Sequence, residues 1–174
     1  MRYALSFFMT VLIDMPWGYD PKDEQGTRVF YFDGDLNKLE RKSTPKDMEI
    51  FDASTLCFSS VLELPSIDND LVEVDKFSKK EEVDKFYDLR YNLNEEFSNK
   101  ILGHSDNIQG GIKLECELTK KRIYCKDQSQ CDDPRYLELR ENITDRALLL
   151  QIDSNKENGM MWGNFGKIYF WITK

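Results

Sequence analysis

The residues able to do chemistry are few, and the single histidine, His104, sets the limit. With one imidazole there is no H-E-x-x-H metal pair and no Gly-x-Ser-x-Gly nucleophile elbow. A P-loop and a Gly-x-Gly-x-x-Gly fingerprint are also missing. Carboxylates are plentiful at 32 Asp+Glu, so a pair at hydrolytic separation arises by chance and abundance argues nothing. Two acids stand out by setting. Asp106 lies in the turn after His104, and Asp153 closes a strongly apolar run. A carboxylate at a strand end ordinarily caps a turn by accepting backbone N–H bonds. Gln151, inside that run, is expected to satisfy its amide in a buried network, since an unpaired one costs ~1–3 kcal/mol. Trp162, in a Met-Met-Trp-Gly turn, reads either as an exposed docking aromatic or as a loop aromatic folded back over the core. Gly110-Gly111 and the turn from Trp162 to Gly166 offer N–H groups to an anion, although glycines beside strands usually just permit tight turns.

Cys57, Cys116, Cys125 and Cys131 are too few for a disulfide-dense scaffold, and their spacing lacks paired C-x2-C knuckles. A three-Cys-one-His zinc site built with His104 is the alternative. Reduced, partly buried thiols are the expectation, with no metal and no cofactor. Asn142-Ile143-Thr144 fits a glycosylation sequon, a triplet that chance often supplies.

These residues must be positioned by regular elements. Tyr3 to Ile13 is apolar, but no small-x-small cleavage site follows it and it is far short of the ~20 residues of a membrane span. It predicts a buried strand rather than a leader. Arg28 to Phe32 predicts a second strand ending at an Asp33-Gly34 turn, after an acidic loop from Asp14 to Gln25. Residues 34–50 read as loop. Thr55 to Leu64 predicts a third strand, stopped by Pro65. Lys79 to Phe97 is the clearest helix, with Val83, Phe86, Leu89, Leu93 and Phe97 in one stripe and Ser78 with Glu81 as a capping box. Residues 111–120 fit strand alternation and helix composition equally, so both readings stand. Pro134 to Asn142 predicts a short helix. Ala147 to Asp153 predicts a central strand, and a polar hairpin-like connection from Ser154 to Gly166 leads to a last strand, Lys167 to Thr173. No internal repeat or low-complexity tract is visible. The class is α+β, with a mainly antiparallel or mixed sheet and a few packed helices, in a single domain over residues 1–174.

The chain has 174 residues, 40% hydrophobic, with 11 Phe, 8 Tyr and 3 Trp. That content supports a core and excludes a disordered chain. Its 24 Lys+Arg against 32 Asp+Glu give a net charge of −8, which opposes nucleic-acid and anionic-membrane roles. A cytoplasmic location is the default expectation.

Several stretches resemble one family closely. Lys100-Ile101-Leu102-Gly103-His104 followed by Ile108-Gln109-Gly110 is similar to the "LLGYP…IQGD" stretch of the YwqG-like bacterial proteins. Leu148 to Ser154, Gly159 to Gly166 and Ile168 to Ile172 resemble that family's "LLLQIDSD…MMWGDxGxIYFWI" ending. Asp133-Pro134-Arg135 matches its DPR-like element, and Leu5 to Phe8, Trp17-Gly18 and Val29 to Tyr31 are similar to its upstream strands. The chain departs from the pattern where His104-Ser105 replaces Tyr-Pro, and where Gly111 and Asn164 each replace an acid. Members usually carry a further Pro- and Trp-rich portion upstream, so a chain truncated at the N-terminus is expected, with an exposed apolar face and self-association.

The resemblance implies a YwqG-like fold and little biochemistry, with some members similar to components of bacterial toxin–immunity neighbourhoods. The resulting expectation is a non-catalytic protein-binding module, immunity- or antitoxin-like, that masks a basic toxin domain stoichiometrically. An acidic surface would steer the encounter and aromatics would hold it. The alternative is a small-molecule-binding or hydrolytic domain with a cleft around His104, Gln151 and Asp153. The candidate surface is His104, Asp106, Gln109, Gln151, Asp153, Trp162 and Asn164.

Overall fold

A computed structural model describes residues 4–9, 16–44, 46, 50–67, 69, 72–93, 99–108, 112–125, 131–141, 143 and 146–173. Gln109, the Gly110-Gly111 pair, Phe97 and the Asn142 and Thr144 of the sequon lie outside the described residues. The architecture is α+β, with two antiparallel sheets. The chain divides into two compact units. One comprises residues 1–50 and 115–137, the other 51–114 and 138–174.

In the first unit, β1 (Ala4–Met9) pairs antiparallel with β2 (Thr27–Phe32), from Ala4 opposite Phe32 to Met9 opposite Thr27. β1 is apolar and aromatic, β2 is β-branched and aromatic, and Phe8 meets Phe30 edge-on at 5.6 Å between ring centres. Between them, Pro21–Gly26 forms a 3-10 turn capped by the Asp20 side chain on the Lys22 N–H. The undecided segment is a helix, α2 (Ile112–Lys120), of which residues 115–120 belong to this unit. Its alternation resolves as an i, i+4 pair, Leu114 and Leu118, both buried. The helix ends in a Schellman motif: Ile123 N–H reaches Leu118 C=O at 2.9 Å and Arg122 N–H reaches Thr119 C=O at 2.9 Å. Arg122 holds the left-handed position at φ 58°. Leu118 and Ile123, at the two positions where the motif favours apolar residues, are both buried, and Tyr19 stacks on Tyr124.

Cys125 and Cys131 are joined in a disulfide, with Cα atoms 5.2 Å apart. This corrects the reduced-thiol expectation for that pair, and it commits two of the thiols a zinc site with His104 would need. Cys57 is an exposed free thiol, and Cys116 is not part of this disulfide.

In the second unit, β3 (Lys100–Ile101), β4 (Arg146–Asp153) and β5 (Lys167–Thr173) form one sheet with β4 central. A bulge at Leu149 lets Leu148 and Gln151, three apart, share a face. They are the two most buried large side chains, at 1% and 0% exposure. Helix α1 (Lys80–Leu93) matches the strongest expectation, with two differences. Glu82, not Glu81, closes the N-terminal box by accepting from Ser78 N–H at 2.8 Å. Arg90 is inward of Leu89, which is half exposed, because the face that turns in is 83, 86, 90 and 93. A short helix, α3, covers Tyr136–Glu141.

The expected third strand, Thr55 to Leu64, is corrected: among the described residues the segment is assigned to no strand. Strand composition gives strand structure only against a free edge, and β3 offers just two residues of one. Among the described residues, no helix is long and apolar enough to cross a membrane.

Candidate functional site

The site begins with sheet register. Lys100 on β3, Gln151 on β4 and Tyr169 on β5 lie directly opposite one another, so three polar side chains form one row across the sheet. Two residues along β4, on the same face, Asp153 is opposite Lys167. After β3 the chain takes two left-handed residues, Leu102 at φ 63° and Gly103 at φ 76°. A Cβ at Gly103 would also overlap the Glu63 carboxylate, so the position requires glycine. This reversal brings residues 104–106 back over the polar row.

Asp106 is the hub. Its carboxylate accepts from Arg90 at 2.8 Å, from Lys100 at 2.8 Å and from the Gln151 amide at 3.1 Å. Its own N–H donates to Gln151 Oε1 at 2.8 Å, and its C=O accepts from the Tyr169 hydroxyl at 2.7 Å. Lys100 also donates to Glu63 at 2.6 Å and to the His104 C=O at 3.2 Å, which uses all three ammonium protons. Glu63 in turn accepts the His104 N–H at 2.6 Å. Lys167 is 3.5 Å from Asp153, whose other oxygen accepts the Ser154 N–H at 2.8 Å.

The electrostatics are balanced: Glu63, Asp106 and Asp153 face Lys100, Arg90 and Lys167. Burial pushes the Asp106 carboxyl up, but hydrogen bonds from Lys100 and Gln151 and the charges of Lys100 and Lys167 together outweigh it. The carboxyl is therefore held below the ordinary aspartate value. Burial, with the neighbouring Asp106 and Asp153 charges, pushes the Tyr169 phenol up to about 12. The hydroxyl is thus kept protonated to donate.

The hairpin between β4 and β5 is knitted by Ser154. Its hydroxyl donates to Gly166 C=O at 2.8 Å and accepts the Trp162 N–H at 2.9 Å. The Trp162 indole N–H donates to Asp153 C=O at 3.1 Å, and its ring meets Phe51 edge-on. Trp162 is 6% exposed, so it is the loop aromatic folded back over the core.

The structure therefore brings Asp106, Gln151 and Asp153 to one sheet face, with the two motif regions in direct contact through Asp106 and Gln151. His104 joins through its main chain. Trp162 lies beneath the adjoining turn, and Asn164 is exposed in it, outside the network. Gln109 lies outside the described residues. The sequence reading missed Glu63, Arg90, Lys100 and Tyr169. Alternation of Lys167, Tyr169 and Trp171 carried a signal for Tyr169; nothing local marked Glu63. Among the described residues, no group of three or more His, Cys, Asp or Glu is placed to hold a metal ion.

Searches of curated proteins and of solved structures each found no match. A family model described as a domain of unknown function, DUF1963, matches residues 3–174. The network that ties residues 100–106 to the two C-terminal strands is thus the local architecture of a chain that belongs to the DUF1963 family.

Proposed function

We propose that this YwqG-like chain is a non-catalytic protein-binding module, immunity- or antitoxin-like and bacterial, that masks a basic protein partner stoichiometrically. One observation carries the reading: large apolar side chains stand open to solvent on an acidic chain. Phe8, Phe30 and Tyr31 of the hairpin, and Leu56, Phe58 and Leu62 of the 51–62 segment, are all more than half exposed. Exposed aromatic and aliphatic clusters of this kind serve as anchors in partner pockets. The net charge of −8 accelerates encounter with a basic surface.

The inner polar residues support the same reading. A hydrolytic cleft needs an acid or base free to meet substrate, whereas Asp106 and Gln151 spend their polar atoms on one another and on Arg90, Lys100 and Tyr169. The rival, small-molecule or hydrolytic reading has no comparable observation in its favour.

The test is affinity capture from the native cell, followed by purification of the complex. The expected result is one dominant basic protein at a one-to-one ratio, with an association rate that falls steeply with added salt. Turnover of any small molecule that is lost in a His104→Ala variant would refute the reading.

A further inference from the structure

The run from Thr55 to Leu62 has the composition of a strand and lacks a strand's partner. Leu56, Phe58 and Leu62 are 72%, 74% and 79% exposed, and Val61 is 53% exposed. In extended chain Leu56, Phe58 and Leu62 fall on one side, with Thr55, Cys57, Ser59 and Val61 on the other. Both sides are open to solvent, so neither is the buried face of a sheet. Among the described residues, none forms a backbone hydrogen bond with residues 55–62.

The segment is nevertheless tethered at both ends. Asn158 donates to the Ser54 hydroxyl at 3.4 Å, and Phe51 meets Trp162. At the far end Glu63 is held by Lys100 and by the His104 N–H, and Pro65 ends any ladder. Eight residues of strand-forming sequence are therefore presented between two anchors, with no main-chain partner among the described residues. Such a row is a template for another strand.

Charge identifies the partner. Residues 51–75 contain Asp52, Glu63, Asp68, Asp70, Glu73 and Asp75 and no Lys or Arg, a sequence balance of 0 − 6 = −6 within a chain of −8, of which Glu63 is offset by Lys100 and Glu73 by Lys76. Like charge opposes pairing with a second copy, whereas a basic surface complements it. Resting on the protein-binding reading above, we infer that residues 55–62 are a docking strand that adds, by main-chain pairing, to the free sheet edge of a basic protein.

The probe is an eight-residue peptide alternating Val or Thr with Lys, compared with the same peptide carrying Glu. Amide hydrogen exchange of residues 55–62 is measured in the full chain at two protein concentrations, with and without each peptide. The expected result is fast exchange in the protein alone at both concentrations, slowed at least tenfold by the Lys peptide and unchanged by the Glu peptide. Ser59→Pro and Ser60→Pro remove adjacent N–H groups that point to opposite edges, so one of them abolishes the slowing while Ser60→Ala does not. Both sites are exposed, so the melting temperature serves as the folding control. Protection in the protein alone would mean the segment is already paired, within its own chain or, if it grows with concentration, with a second copy. Either finding overturns the inference, as does the absence of slowing by the Lys peptide. If a one-to-one partner is captured but these amides stay fast in that complex, the strand inference fails and the binding reading survives. If no such partner exists, the binding reading fails, whatever the peptide does.

Discussion

Replacing Lys100 with Met tests whether the polar row holds the sheet and the residue 104–106 turn together. The ammonium lies 2.6 Å from Glu63 and 2.8 Å from Asp106, on a side chain 14% exposed. Each pair is worth ~6 kcal/mol of gross attraction at an effective dielectric near 20. Desolvation of the three charges offsets much of that, and breaking a part-buried pair leaves the carboxylates uncompensated. Glu63 keeps the His104 N–H, and Asp106 keeps Arg90 and Gln151, so the loss is partial. The expected net cost is roughly 2–4 kcal/mol at pH 7. For a chain of this size that lowers the melting temperature by roughly 5–15 °C.

The sign of the pH dependence follows from Asp106. Its folded carboxyl is held below the ordinary value, so its stabilisation is present above about pH 4 and is lost as pH falls through the lowered folded value. Lys100 is a cause of that lowering, so Lys100→Met gives up stability that the parent itself loses in acid. The gap between the two therefore narrows below pH 4. Adding Glu63→Gln to Lys100→Met removes an uncompensated charge and recovers part of the loss, with a coupling of roughly 0.5–3 kcal/mol. Denaturant unfolding of the four proteins between pH 3 and 7 decides. A loss under ~1 kcal/mol at pH 7, or a gap that stays constant into acid, would refute the reasoning.

Three further outcomes are expected. Ser154→Ala removes the hydroxyl that bonds Gly166 C=O and Trp162 N–H, and should cost about 1–3 kcal/mol in urea unfolding with a rise in Trp162 fluorescence mobility. Arg122→Gly relieves a left-handed backbone position at the end of α2 and gives up only an exposed ion pair with Glu24, so thermal melts should show a gain of up to ~1 kcal/mol. The Tyr169 phenol, pushed up to about 12, stabilises the fold below pH 10 and loses that contribution as pH rises from 10 towards 12. Tyr169→Phe should therefore be less stable at pH 8 and approach the parent by pH 12 in alkaline titrations of stability.

How much of this was legible in the sequence depended on whether a signal was local. Apolar, aromatic and β-branched runs placed β1, β2, β4 and β5, but the burial expected of β1 is corrected: Leu5 and Phe8 are exposed and no residue of β1 or β2 is buried. Helix α1 was likewise legible from its own sequence, although the choice between Leu89 and Arg90 turned on an ion pair with Asp106, sixteen residues away. The class and the turn function of Asp153 were also readable. The Thr55 to Leu64 run was not, since its composition cannot report the absence of a neighbouring edge. Nor was the Lys100–Gln151–Tyr169 row, whose members meet only through register across three strands. The bulge at Leu149 hid the face shared by Leu148 and Gln151, because a reader counting in twos puts them on opposite sides.

The same register explains why charges inside and outside this chain do different work. Around Asp106 three acids meet three bases at 2.6–3.5 Å, so their field cancels within a few ångströms and what remains is geometry. The acids of residues 51–75 have no Lys or Arg among them in sequence, and only Glu63 belongs to the balanced cluster; Glu73 pairs with Lys76, but both are exposed to solvent. Removing the inner charges should therefore change stability and leave association rates alone. Neutralising Asp52, Glu73 and Asp75 should do the reverse, slowing capture of a basic partner at low salt with unfolding curves unchanged. A triple neutralisation that leaves the association rate untouched would show that the outer acids do not steer the encounter, whatever holds the complex afterwards.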